Sequence, residues 1–213
     1  MVNQLGPVLD QLFYAFDTAA YSFIWQFQNA FTIFVANICQ YTGDALGYTI
    51  YGVISLALCF PKKTRKFGVA MFVAFIVGLP LMGIIKDVVG RARPYITLKD
   101  TPFWKTYNLH WTRAGSFLED DPAFPSGHTS VNFEIFTALI AVLLKQQKKW
   151  AWALFIFPFI VGCSRIIRCV HYPSDVVAGM ILGIIAGLIG YLVTWILFYK
   201  KKADRREKQK ANS

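Results

Sequence analysis

Val176–Tyr199 reads VVAGMILGIIAGLIGYLVTWILFY, an apolar stretch without a single charged residue. Crossing the hydrocarbon core takes about 20 such residues, so this segment predicts a membrane-spanning helix. Toward the amino end, Trp150–Ile167, Thr129–Leu144, Phe67–Ile85 and Leu46–Phe60 carry the same signal. A sixth stretch, Leu12–Cys39, is apolar but interrupted by Asp17, Gln26, Gln28 and Asn29. It reads as an amino-terminal helix that either spans or lies in the interface. The expected fold is therefore all-α, a polytopic transmembrane helical bundle of about six helices with a long extracytoplasmic loop. It forms a single domain over 1–213: an amino-terminal helix within 1–42, a core at 43–199 and a basic tail at 200–213.

Composition agrees. Of 213 residues 55% are apolar and only 16% charged, with nineteen Phe, ten Tyr and six Trp, which suits a bilayer better than water. The net charge of +10 could suggest nucleic acid, but its distribution points elsewhere. Lys62, Lys63, Arg65 and Lys66 share one short loop, Lys145, Lys148 and Lys149 another, and seven basic residues between Lys200 and Lys210 form the tail. If the spans alternate, all three lie on one side, which the positive-inside rule makes cytoplasmic. The tail can also touch anionic lipid heads. The first 30 residues hold no Lys or Arg, so no signal peptide is read there. Cys39, Cys59, Cys163 and Cys169 lie in or beside apolar stretches, with no CxxC and no metal-ligand spacing. They read as buried free thiols, a Cys39–Cys169 bridge being the alternative.

The basic residues that topology does not use, among them Lys86, Arg91, Arg93, Arg165 and Arg168, fall in or beside the outer segments. Three short motifs contain them: KDVVGRARP at 86–94, PSGH at 125–128 and SRIIRCVHYPSD at 164–175. These lie at the outer ends of four spans, and antiparallel packing brings them to one membrane face. Ionisable groups there are costly and therefore candidates for function. Lys86, Arg93 and Arg165 offer donors suited to phosphate oxygens. Ser126 fits an N-cap, and the free amides of Gly127 and His128 can point at an anion. Asp175, four residues after His171, can take the Nδ1 proton of that histidine and leave Nε2 as a nucleophile. His128 can protonate a leaving oxygen. No carboxylate cluster of the kind that holds two metals is present.

In this order, KxxxxxxRP, PSGH and SRxxxxxHxxxD resemble the signature of the type 2 phosphatidic acid phosphatase superfamily. The resemblance implies a helical membrane phosphatase with an extracytoplasmic active site, no required metal and no cofactor. It also implies that Lys86, Arg93 and Arg165 bind phosphate, that Ser126 and Gly127 donate to it, and that His128, His171 and Asp175 are acid, nucleophile and partner. The substrate expected is a lipid phosphate or diphosphate, with undecaprenyl diphosphate first and phosphatidate or phosphatidylglycerophosphate second. A lipid-phosphate transporter without hydrolysis is the reading from another class, and a complete nucleophile, acid and carboxylate would be superfluous to it. Oligomeric state is not legible.

Singly, each residue has a structural explanation. Lys86 and Arg93 could be snorkelling span ends, Ser126 a plain cap, and Asp175 a dipole partner. Glu134 either lines a lipid path or pairs with Asn132 or Thr137. Arg91, Arg168 and Tyr172 either touch a second phosphate or a head group, or merely flank the motifs.

Overall fold

The computed structural model describes residues 5–200, and those residues fold into helices and connecting turns. The tail residues from Lys201 to Lys210, part of the charge argument, lie outside them. The α-helices are α1 (Leu5–Ile24), α2 (Ala30–Gln40), α3 (Ala45–Leu58), α4 (Arg65–Val89), α5 (Pro94–Thr97), α6 (Trp104–Ala114), α7 (Gly127–Lys145), α8 (Ile156–Ile167) and α9 (Pro173–Trp195). Among the described residues, four helical segments are long and apolar enough to cross a bilayer: Arg65–Thr97, Gly127–Lys145, Lys149–Ile167 and Pro173–Lys200. The helix at Ala45–Leu58, expected to span, has 14 residues. At 1.5 Å per residue it reaches roughly 21 Å against a hydrocarbon core of about 30 Å.

The amino-terminal stretch differs from the single helix expected. It breaks at Trp25–Asn29 into α1 and α2. Asn29 is extended, its side chain accepts from the Thr32 amide at 3.0 Å, and its own amide donates in return to the Thr32 hydroxyl at 2.9 Å. This reciprocal cap starts a new helix rather than continuing an old one.

The centre of the bundle is α9 packed between α4 and α7. Gly179, Gly183 and Gly187 recur every four residues along α9 and face α7. A Cβ at Gly179 would lie 2.5 Å from the Ser126 carbonyl, and one at Gly183 or Gly187 would strike the backbone of α7. Small residues at this spacing let two membrane helices approach closely. Large apolar side chains such as Phe34, Ile54, Ile84, Ile185 and Leu192 project outward, where lipid rather than water is the natural solvent.

Two aromatic groups close the ends. At one end Lys66 and Lys145 reach over the Tyr199 ring, 4.1 and 5.8 Å from its centroid. The basic loops and the end of α9 therefore share a face, opposite the motifs. At the other end Tyr21, Trp25, Tyr95 and Tyr107 pack together with the long 90–126 connection, which carries α5 and α6. The four cysteines are free, so the Cys39–Cys169 bridge does not form.

Candidate active site

Gly90 ends α4 in the left-handed conformation, φ 57°. The chain turns there and carries Arg91 and Arg93 back across the helix end. On the facing side α8 stops at Ile167, and its last carbonyls would be orphaned at that depth. Side chains from the amino-terminal region and from α6 bind the carbonyls at this helix end and in the turn that follows it. Gln28 Nε2 donates to the Ile167 carbonyl at 2.9 Å, Tyr107 hydroxyl to Cys169 at 2.5 Å, and Tyr21 hydroxyl to His171 itself at 2.6 Å. Cys169 takes a left-handed φ of 59°, uncommon for a residue with a Cβ, and is held there by these contacts. The result is a rigid bracket for His171.

Lys86, Arg93, Gly127, His128 and His171 line one cavity of about 410 Å³, with Gln40, Tyr48 and Glu119 among its other walls. Arg165 stands just behind, fully buried, joined to Gln40 and Glu119. Three cations and both histidines thus converge as the sequence predicts.

The state of His171 follows from its neighbours. Nδ1 lies 2.8 Å from the Ala123 carbonyl, which can only accept, so Nδ1 carries the proton. Nε2 lies 2.9 Å from Arg93 Nη1, which can only donate, so Nε2 is the unprotonated nitrogen and its lone pair accepts from Arg93 at the cavity wall. Burial first, then the charges of Arg93, Arg165 and Lys86, push this imidazole well below its usual range and keep it neutral.

This tautomer is the one expected, but its holder is not. Asp175 Oδ2 lies 3.6 Å from His171 Nδ1, beyond a hydrogen bond. The carboxylate instead receives Arg91 Nη1 at 2.6 Å and the Tyr172 amide at 2.9 Å. Arg91 also donates to Asp10 at 2.8 Å, Ser174 at 2.7 Å and Asp17 at 3.0 Å. Four of its five N–H donors are thus taken by α1 and α9, and it does not line the cavity, so its contacts are those of a structural tie. Arg168 donates to Asn37 at 2.8 Å and stacks on Phe117, outside the cavity lining.

The PSGH segment also departs in detail. Ser126 makes no side-chain cap; its amide donates to the Asp175 carbonyl at 3.0 Å and its hydroxyl oxygen accepts from Thr129 at 3.0 Å. Ser126 is fully buried and is not among the residues that line the cavity, unlike the phosphate donor expected. Gly127 is pressed by Tyr48, whose hydroxyl would lie 2.8 Å from an added Cβ. His128 Nε2 lies 2.9 Å from the Gln40 carbonyl, so Nε2 donates and Nδ1 is left for proton exchange. Glu134 is buried against Gly78, its Oε1 unpartnered among the described residues, bonded to neither Asn132 nor Thr137. It does not line the cavity.

Missing from the expected set are Glu119, Asp121, Gln40 and Ala123. Only the first two had a legible signal, carboxylates in a loop between cationic motifs.

Residues 63–201 match the PAP2 superfamily model. The undecaprenyl-diphosphatase of Sulfolobus acidocaldarius is 31% identical over 140 residues, which cover 64% of this chain and 59% of that protein. The undecaprenyl-diphosphatase BcrC of Bacillus subtilis is 38% identical over 141 residues, covering 65% of each chain. In both the match spans under two-thirds of the relative's length. A PAP2-type phosphatidylglycerolphosphate phosphatase from Bacillus subtilis shares the fold, with a TM-score of 0.65 at 21% identity over 87% of this chain and 88% of that one. Aquifex aeolicus LpxE does so with a TM-score of 0.54 at 23% identity, covering 81% and 92%. With its four span-length apolar helices, this multi-pass membrane protein belongs to the PAP2 superfamily.

Proposed function

We propose that the chain is a membrane lipid phosphatase that works through a phospho-histidine on His171. The observation that carries this is the unprotonated Nε2 of His171, its tautomer fixed by the Ala123 carbonyl, at the wall of a cavity with three cations around it; Arg93, which donates to Nε2 here, turns to the phosphoryl oxygens when substrate binds and frees the lone pair. Lys86, Arg93 and Arg165 hold the phosphoryl oxygens, where charge builds in the transition state. Nε2 attacks phosphorus as the bond to the leaving oxygen breaks, and His128, which enters this step protonated on Nδ1 as well as on Nε2, gives that oxygen its Nδ1 proton. Water then attacks the phospho-histidine, His128 takes its proton, and phosphate leaves. The imidazole is cationic while phosphorylated, and Asp175 at 3.6 Å stabilises that charge through space. Lys86, Arg93 and Arg165 supply the positive charge a metal would otherwise bring, so turnover is expected to persist in EDTA.

Undecaprenyl diphosphate is the substrate the relatives favour, because two proteins of that name are 31% and 38% identical to this chain. Phosphatidylglycerophosphate is the alternative, favoured by the fold of the solved Bacillus subtilis enzyme. The Lys66–Tyr199–Lys145 end, opposite the cavity, supports a cytoplasmic basic face and an extracytoplasmic site.

The test is phosphate release by the purified protein from these two lipids, with acid-quench trapping of labelled phosphate on wild type and His171→Ala. Wild type is expected to trap phosphate and His171→Ala neither to trap nor to turn over. A phosphoenzyme formed normally by His171→Ala would place the nucleophile elsewhere.

A further inference from the structure

The cradle is already filled by the protein's own carboxylates. Asp121 bonds Lys86 and reaches Arg93 at 2.6 Å; Glu119 reaches Arg93 at 2.9 Å and bonds Arg165. Each cation proposed to hold phosphate is thus paired to an acid from the irregular segment after α6.

The backbone beneath these acids is pinned. The Tyr95 hydroxyl donates to the Glu119 carbonyl at 2.8 Å and accepts from the Glu119 amide at 2.9 Å. Arg93 Nε donates to the Asp121 carbonyl at 2.9 Å, and Lys86 to the Pro122 carbonyl at 2.5 Å. The side chains are less confined, Asp121 being 56% exposed and Glu119 17%. A ligand can therefore displace the carboxylates by side-chain rotation while the loop keeps its carbonyl contacts.

We propose that Glu119 and Asp121 form a charge gate that sets which phosphates the cradle accepts. Two carboxylates balance two of the three cationic charges. A ligand that replaces both must bring at least two negative charges to leave the buried cations equally compensated, since uncompensated buried charge is costly. A phosphomonoester dianion or a terminal diphosphate meets that condition. A phosphodiester, the singly charged group of ordinary membrane lipids, does not. The gate gives the enzyme a means to ignore the phospholipids that surround it. The inference rests on the cradle being the phosphoryl site proposed above.

The experiment uses the full chain in detergent micelles and two soluble anions, orthophosphate and dimethyl phosphate, at about pH 8, above the second phosphate ionisation. Thermal stabilisation by each anion is measured for wild type and for the Glu119→Gln/Asp121→Asn double variant. Wild type is expected to be stabilised by orthophosphate and not by dimethyl phosphate. The double variant is expected to bind orthophosphate about tenfold more tightly, the effect of opening a gate closed nine-tenths of the time, and to respond to dimethyl phosphate as well. In parallel, phosphatidylglycerol is expected to inhibit hydrolysis of phosphatidate by the variant and to leave wild type unaffected. Equal stabilisation of wild type by the two anions, or unchanged discrimination in the variant, overturns the gate. Glu119→Gln alone, which leaves Asp121 on Lys86, replaces the double variant if that does not fold, and is held to the same criterion at smaller amplitude. Should wild type release no phosphate from any lipid, the phosphatase reading falls, while the anion-binding arm still decides the gate.

Discussion

Arg91 and Arg93 stand two residues apart, both almost wholly buried, both bonded to carboxylates, and they serve opposite ends. The partners of Arg91 are Asp10 and Asp17 on α1 and Asp175 on α9, all on helix backbones, with Asp17 and Asp175 buried and Asp10 at the rim. The partners of Arg93 are Glu119 and Asp121 on an irregular segment, and Asp121 is half exposed. A cation whose counter-charges are fixed acts as a fastener. A cation whose counter-charges can move to water acts as a binding group in waiting. Burial and ion pairing alone do not separate the two roles; the mobility of the partner does.

The largest effects test that contrast directly. Arg91→Leu strips two buried carboxylates, Asp17 and Asp175, and the half-buried Asp10 of their shared cation, and a loss of about 3–5 kcal/mol of stability is expected. Its melting temperature should fall steeply, with α1 released from the site. Arg93→Leu releases its partners toward solvent, so its melting temperature should stay near that of wild type. Its kcat/KM should fall by about a hundred- to a thousandfold, as when one transition-state donor is removed. Thermal melts and steady-state kinetics on both variants check this. If Arg93→Leu melts as early as Arg91→Leu, the two arginines do not differ in kind.

The sequence made the ends of the argument visible and hid its middle. Charge-free apolar runs announced the long helices, and three motifs at span ends had to meet on one face. The bracket around His171 was not legible, because its acceptor is the Ala123 backbone carbonyl and backbone acceptors leave no mark on residue type. Nor was the part played by α1, whose Asp17 bonds Arg91 across 74 residues of sequence. Within an apolar stretch Asp17 read as an interruption; in the fold it is what binds α1 to the catalytic end. Asn29 also read as an interruption, although an Asn followed three residues later by Thr is a capping pattern, and it caps α2. Glu119 and Asp121 stand in sequence between two cationic motifs, but only the folded positions of Arg93 and Arg165 put them inside the cradle.

A smaller effect is expected at Asp175, because Ala123 and not Asp175 holds the Nδ1 proton. An aspartate that fixes the catalytic tautomer by a direct hydrogen bond is worth about 10⁴ in kcat when changed to Asn. Here Asp175→Asn removes only the through-space stabilisation of the cationic imidazole and one of three acids on Arg91. A loss of roughly ten- to a hundredfold in kcat follows from weakened charge stabilisation at that distance. Single-turnover rates of phosphoenzyme formation would show it, and a loss near 10⁴ would return the tautomer to Asp175.

The smallest effect lies in the pH profile, where the charges around Arg93 act on His171 without touching its bonds to Ala123. Burial and the three cations hold the folded pKa of His171 below its ordinary value of about 6.5. The nucleophile therefore stays neutral as pH falls through 6.5, and the acid limb of kcat/KM belonging to this group lies below that value. Removing one cation lifts one of the secondary causes while burial, the largest, remains. In Lys86→Gln the limb should move toward higher pH, by roughly one unit or less, and still lie below 6.5. The substrate's own ionisation is common to both proteins and cancels in the ratio of their kcat/KM profiles. That ratio is expected to change with pH only on the acid side, with the variant losing activity first as pH falls. A limb that moves down, or a ratio that is flat with pH, would mean that Lys86 does not act on His171 through charge and that the cradle and the nucleophile titrate independently.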